Sequence, residues 1–205
     1  QIELQGGYGA GRLVGSLGVT FTNFSMRNVF NKDEWRPLPA GDGQQLSLRA
    51  QTSGLFFQSY NVSFVEPWLG GKKPLSFSVS GFHTIQTNGQ RAFLRDTDGN
   101  RIENPDRSHL KITGLSFGLG QRLKWPDDYF QFRQSINLQQ YAIKDFTQFI
   151  FSNGVSNNFF YRATLSRNSL DQVIYPTLGS NISLSFQATP PYSLFSGRDY
   201  SGLDQ

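Results

Sequence analysis

Side chains able to run covalent chemistry are few and scattered in this chain. It has 2 histidines and no cysteine in 205 residues. His83 falls on an alternating strand pattern and His109 at a loop–strand junction, and neither has a nucleophile and carboxylate arranged around it. Without thiolates or clustered imidazoles, a zinc or iron centre has no ligand set. Asp96-Thr97-Asp98-Gly99-Asn100, followed by Glu103 and Asp106, offers oxygen ligands to a cation. A helix–loop–helix calcium loop needs glycine at its sixth position and glutamate at its twelfth. Here Gly99 is fourth from Asp96 and no glutamate closes the loop, so the stretch reads as a solvated turn. Gly6-Gly7-Tyr8-Gly9-Ala10-Gly11 lacks the Lys-Ser/Thr and the helix that a phosphate loop requires. The expectation is therefore a non-enzyme with no cofactor and no metal. What remains to be read is the backbone, since an open sheet would expose long edges with unpaired N–H and C=O groups.

The elements that would position such an edge are strands. Asn158–Ala188 shows the pattern best. Phe159, Tyr161, Ala163 and Leu165 alternate with Arg162, Thr164 and Ser166, and after a turn Ile182, Leu184, Phe186 and Ala188 alternate with Ser183, Ser185 and Gln187. A period of two puts apolar groups on one sheet face and polar groups on the other. The same reading gives strands at Ile2–Gly7, Leu13–Phe21, Leu46–Thr52, Phe56–Val65, Leu75–Ile85, Leu110–Leu119 and Phe130–Ala142, nine in all. In Leu110–Leu119 the apolar parity changes at Gly114, which predicts a β-bulge.

Composition decides what the two faces meet. Hydrophobic residues make up only 37%, aromatics reach 15%, and 21 glycines and 19 phenylalanines stand out. Few aliphatic residues would fill a soluble core, whereas a membrane barrel needs only a thin outer apolar band and tolerates a wet lumen. The polar faces are rich in Ser, Asn, Gln and Arg, with Arg49, Arg133 and Arg162 expected to face that lumen. No segment has the roughly 18–20 consecutive apolar residues of a spanning helix. The net charge of +4 is dispersed, so no nucleic-acid partner is implied. The fold class expected is all-β, an antiparallel transmembrane barrel, with a soluble ligand-binding β-barrel as the competing reading.

Alternate connections fall at opposite ends of the strands. Asn23–Gly43, Glu66–Pro74, Arg122–Asp128 and Asn168–Ser180 share one end. Tyr8–Arg12, Ser53–Leu55, Gln86–His109 and Lys144–Asn157 share the other. Trp35, Trp68, Trp125 and Tyr175 all lie in the first set, as an interfacial aromatic girdle would. Nine strands cannot close an even-numbered antiparallel barrel, so the chain reads as part of one.

The ordered set of motifs resembles the BamA family of outer-membrane barrel-assembly proteins, in the amino-terminal half of their barrel. The motifs are Gly6-Gly7-Tyr8-Gly9 after the first strand, Asn23-Phe-Ser-Met-Arg-Asn-Val-Phe30, Ser63-Phe64-Val65-Glu66-Pro67-Trp68, and Arg167-Asn168-Ser169-Leu170-Asp171 leading to Tyr175-Pro176-Thr177-Leu178-Gly179-Ser180. The extended turns at 31–39 and 68–74 look like the Bacteroidota version. The resemblance covers nearly all of the chain. It implies about nine strands of a sixteen-stranded barrel in the bacterial outer membrane, with residues 1–205 a single barrel segment. The family's periplasmic POTRA domains, its Val-Arg-Gly-Phe/Tyr loop motif and its closing strand are not in the sequence. The resemblance further implies insertion of outer-membrane proteins through a lateral seam at Ile2, Glu3, Leu4, Gln5, Gly6 and Gly7, with Asn168–Ser180 on the periplasmic side. Its implied partners are outer-membrane lipids, unfolded outer-membrane proteins, accessory assembly subunits and the remaining barrel strands. A polypeptide-translocating pore of the same superfamily is the alternative.

Overall fold

A computed structural model describes residues 1–9, 11–35, 38–69, 74–96, 99–146, 153–172 and 174–190. Ala10 of the glycine-rich turn, residues 36–37 and 70–73 of the two long turns, Asp98 of the acidic loop and the tail from Pro191 lie outside the described residues. The strands are β1 (Ile2–Gly9), β2 (Arg12–Phe24), β3 (Gln44–Thr52), β4 (Phe57–Glu66), β5 (Leu75–Thr87), β6 (Phe93–Arg95), β7 (Arg101–Glu103), β8 (His109–Arg122), β9 (Phe130–Lys144), β10 (Gly154–Asn168) and β11 (Asn181–Ala188). Nine of them form one antiparallel sheet in the order β1-β2-β3-β4-β5-β8-β9-β10-β11, and β6 pairs with β7 separately. Every neighbour in the large sheet is also the next strand of that sheet along the chain, so the sheet is an open meander with β1 and β11 at its two edges. The fold is an open antiparallel barrel wall, as expected for the fold class.

The alternating pattern explains the register. Ile2↔Val19, Val19↔Leu48, Leu48↔Val62 and Val62↔Gly81 carry one apolar row across five strands. Glu3↔Gly18, Gly18↔Arg49 and Arg49↔Asn61 carry the adjoining polar row. Large apolar side chains stand exposed along the apolar face, among them Leu4, Leu17, Leu48, Val62, Leu115, Phe117, Ile136, Leu138 and Leu184. A soluble barrel would bury this face. Here it is the outside.

One expectation is corrected. The bulge predicted at Gly114 is not there: β5 and β8 pair without a shift from Leu75↔Gln121 to Thr87↔His109. The parity change is instead a change of surroundings along one regular strand. Leu115, Phe117 and Leu119 belong to the outer face, whereas Leu110 and Ile112 point inward near the strand's start. Leu110 and Ile143 are each 5% exposed and Phe160 is 6% exposed, so a small apolar core lies on the polar face. Gly114 has a different role. The Phe82 ring lies where its Cβ would stand, so glycine leaves room for an aromatic side chain against the backbone. The irregularity in the sheet sits elsewhere, between Phe21 and Phe24 where β2 meets β3.

The long connection after β5, Gln86–His109, has regular structure of its own. It contains the β6–β7 hairpin, with Arg101 stacked 3.7 Å over the Phe93 ring. Its base is held by Asn104, which is 2% exposed and bonds the backbone of Arg91 and Asp106.

Candidate functional site

β1 pairs with β2 alone, and no described residue bonds its other edge. The phase of that free edge follows from one pair. Gln1 donates its amino group to the Thr20 carbonyl and the Thr20 N–H donates to the Gln1 carbonyl, both at 2.8 Å. In an antiparallel ladder, residues exchanging both bonds recur at every second position. Glu3, Gln5 and Gly7 therefore turn their main-chain groups toward β2, and Ile2, Leu4, Gly6 and Tyr8 turn theirs to the open edge. The six residues expected at the seam thus split into two sets. Ile2, Leu4 and Gly6 present the edge, with Tyr8 added, while Glu3, Gln5 and Gly7 hold the strand. Nothing lies within 4 Å of a Cβ placed on Gly6 or Gly7, so the edge is sterically open there.

The polar face ties this edge into the sheet. Arg49 Nη2 lies 3.1 Å from Glu3 Oε2, and Gln5 Nε2 donates to Glu3 Oε1 at 2.7 Å. Gly18 sits between the ion-paired residues in the register, where a Cβ would lie 3.5 Å from the Glu3 carboxylate and 3.7 Å from Arg49 Nε. Two groups singled out separately in the sequence are thereby brought together across three strands. Alternation alone indicates their shared face, but only the register shows that they are opposite.

Arg133 and Arg162 share that face and line a depression of about 350 Å³ with Ser76, Ser78 and Ser135. Arg162 donates to Gln187 at 2.8 Å and Arg133 to Gln131 at 3.2 Å. Neither has a carboxylate within ion-pairing distance among the described residues.

Trp35, Trp125 and Tyr175 are 44%, 82% and 87% exposed, in turns at one end of the sheet. Trp68, in the same set, borders a depression whose other walls include Ser76, Arg122 and Arg133 of the polar face. One residue of this end was not signalled by patterning. Arg167 bonds Asp127 at 2.9 Å, Ser169 at 2.7 Å and Ser180 at 2.6 Å, and so clamps the β8–β9 connection to the β10–β11 turn. Its only advance sign is its place at the head of the Arg167–Asp171 motif.

His83 is on the outer apolar face, in register with Tyr60 and Thr113. Its Nδ1 is 2.8 Å from the Thr113 hydroxyl. In the acidic loop, Asp96 accepts from Gly99 N–H and its own N–H donates to Asn100, which makes a tight turn. Among the described residues, no three His, Cys, Asp or Glu side chains converge.

Residues 40–200 match the Omp85 superfamily domain. Among solved structures, the crystal structure of BamA from Haemophilus ducreyi lacking POTRA domains 1-3 has the same fold, with a TM-score of 0.54 at 18% identity. The alignment covers 93% of this chain and 33% of that one, so the chain spans about a third of that structure. No curated protein matches it in sequence.

Proposed function

Because the chain belongs to the Omp85 superfamily, whose members are outer-membrane β-barrels, we propose that it forms the amino-terminal wall of a BamA-type insertase. In this reading β1 is one lip of a lateral gate. The carrying observation is the free edge at Ile2, Leu4, Gly6 and Tyr8. These residues offer N–H and C=O groups to an incoming strand, and their side chains face lipid, not the lumen. Catalysis of insertion here needs no covalent step. It replaces backbone–water hydrogen bonds of the substrate with strand–strand bonds before the segment enters a medium where unpaired groups are costly. Weak side-chain packing at Gly6 and Gly7 favours reversible pairing, since glycine contributes nothing across the ladder.

The remaining strands of a sixteen-stranded barrel, periplasmic POTRA domains and accessory assembly subunits belong to this proposal, as does a Bacteroidota-type subfamily. Trp35, Trp125 and Tyr175 would sit at the periplasmic interface, with Trp68 at the rim of the lumen.

The test uses the full-length protein. A cysteine at Leu4 is joined to one on the strand that faces it across the seam. Insertion of unfolded outer-membrane protein into proteoliposomes is expected to fall at least tenfold when oxidised and to recover with reductant. Undiminished insertion by the locked protein removes the gate. A second reading, a polypeptide-conducting pore, is favoured by Arg133 and Arg162 on one lumen surface, which have no ion-pair partner among the described residues. A locked barrel that still passes a polypeptide would support it.

A further inference from the structure

The outer face carries a polar stripe that neither the insertase reading nor a simple apolar belt requires. The register aligns Tyr60↔His83, His83↔Thr113, Thr113↔Gln140 and Asn157↔Gln140, one row across β4, β5, β8, β9 and β10. His83 bonds Thr113, and Gln140 Nε2 donates to Asn157 at 3.1 Å. Polar side chains facing lipid are costly unless bonded. Yet His83 Nε2 and the Tyr60 hydroxyl have no partner among the described residues, and Tyr60 is 49% exposed.

Directly below this stripe the next row reads Val62, Gly81, Leu115, Leu138 and Phe159. Glycine in the middle of bulky neighbours leaves a trough. The groove measures about 740 Å³, within the range of about 300–1,000 Å³ typical of small-molecule sites. A Cβ on Gly81 meets its nearest atoms, on Gly114 and Leu115, at 3.8 Å, so a side chain there would extend into open groove without forcing the backbone. Directly above the stripe the row reads Gln58, Ile85, Lys111, Ala142 and Val155, with Lys111 its one charge. Lys111 occupies the next outer-face position on β8 and makes no ion pair with a described residue. Arg107, Lys111 and Lys144 crowd around His109, with Glu103 paired to Lys144 at 3.3 Å. Apolar groove, hydrogen-bonding row and cations thus succeed one another along the strand, in the order of acyl chain, polar linker and phosphate in a membrane lipid.

We propose that this surface is a binding site for one phosphate-bearing anionic membrane lipid. One acyl chain lies over Gly81 between Val62 and Leu115. The polar linker meets His83 and Tyr60, and the phosphate meets Lys111. The site lies on strands away from β1 and stands apart from the gate.

The experiment uses the full-length protein in nanodiscs of mixed phosphatidylglycerol and phosphatidylcholine, released into detergent and read by native mass spectrometry. The expected result is one retained phosphatidylglycerol per protein, out of proportion to its share of the bilayer. Gly81→Phe should abolish retention, and Lys111→Gln should lower it about tenfold, each checked for a folded barrel by heat-modifiable mobility. Lys111→Gln changes a half-buried side chain with no ion-pair partner among the described residues, and keeps the test valid if Gly81→Phe does not fold. Retention that follows bulk composition, or that is unchanged in Lys111→Gln, overturns the proposal. Millimolar inorganic phosphate should leave the adduct in place, and displacement by it would mark a free-phosphate site instead. Insertase activity enters none of these readouts, so loss of the gate and loss of the lipid site are separate outcomes.

Discussion

Glu3 does two jobs whose consequences can be separated. Its main chain is bonded to β2 and its carboxylate reaches Arg49 two strands away. The pair is solvated, with side chains 44% and 64% exposed, so its net contribution is about 0.2–1 kcal/mol. That is too little to decide whether the barrel folds, but enough to change how often an edge strand frays. Glu3→Gln is therefore predicted to raise hydrogen exchange several-fold at the β2-bonded amides of Glu3 and Gln5, with β8 and β9 unchanged. Equal exchange in both proteins would show that Arg49 does not restrain β1. The effect should shrink at high salt, since exposed charges are screened within about 8–10 Å.

Among the elements, the β10–β11 turn shows what unusual sequence is for. Asp171 accepts from the Thr177 hydroxyl at 2.7 Å and from the Thr177 and Leu178 N–H groups at 3.1 Å. Tyr175 takes φ 57° and Gly179 φ 95°, and a Cβ on Gly179 would collide with the Ser169 carbonyl. Only glycine satisfies both demands at that position. The Thr177 hydroxyl first, then the Leu178 N–H, hold the Asp171 carboxyl below its usual 3.8. A depressed folded value means that Asp171 stabilises the turn above pH 3.8 and loses that contribution as pH falls through the lower folded value. Asp171→Asn should thus unfold at lower urea than the parent near pH 7 and converge with it in strong acid. A gap that persists unchanged at pH 2 would refute the carboxylate's role. This turn was legible as a motif but not as a mechanism, because a clamp between residues six and seven apart leaves no periodic trace. The strands were legible because alternation is periodic. Gly114 misled because the parity of Leu110 and Ile112 records a local inward core and not a shift of register. The row His83–Thr113–Gln140–Asn157 was invisible, since its members are brought together only by pairing across strands.

At the scale of the whole wall, the outer apolar band is short where β8 crosses it. On β8 it is bounded by Thr113 and Gln121, which is 121 − 113 = 8 steps along the strand. At ~3.3 Å per residue this is about 26 Å of strand. A tilt of about 40° reduces it to roughly 20 Å of height, against the ~25 Å band of outer-membrane barrels. A wall shorter than the bilayer it crosses thins that bilayer or strains it. The full-length barrel is predicted to resist urea better in fourteen-carbon than in eighteen-carbon lipid vesicles. A midpoint independent of chain length would mean that the polar borders sit within the headgroups at no cost.

The phase of β1 carries one more consequence. Its free hydrogen-bonding positions, Ile2, Leu4, Gly6 and Tyr8, are also its outward-facing ones. Residues directly opposite one another in a ladder place their side chains on the same side. A strand that adds antiparallel to this edge must therefore bond through the alternate residues that it shows to the bilayer, keeping the other half for the interior. Docking one residue out of step would turn its polar half to the hydrocarbon along its whole length. The template is blind to the identity of each side chain and yet sensitive to odd and even: it reads the parity of its guest.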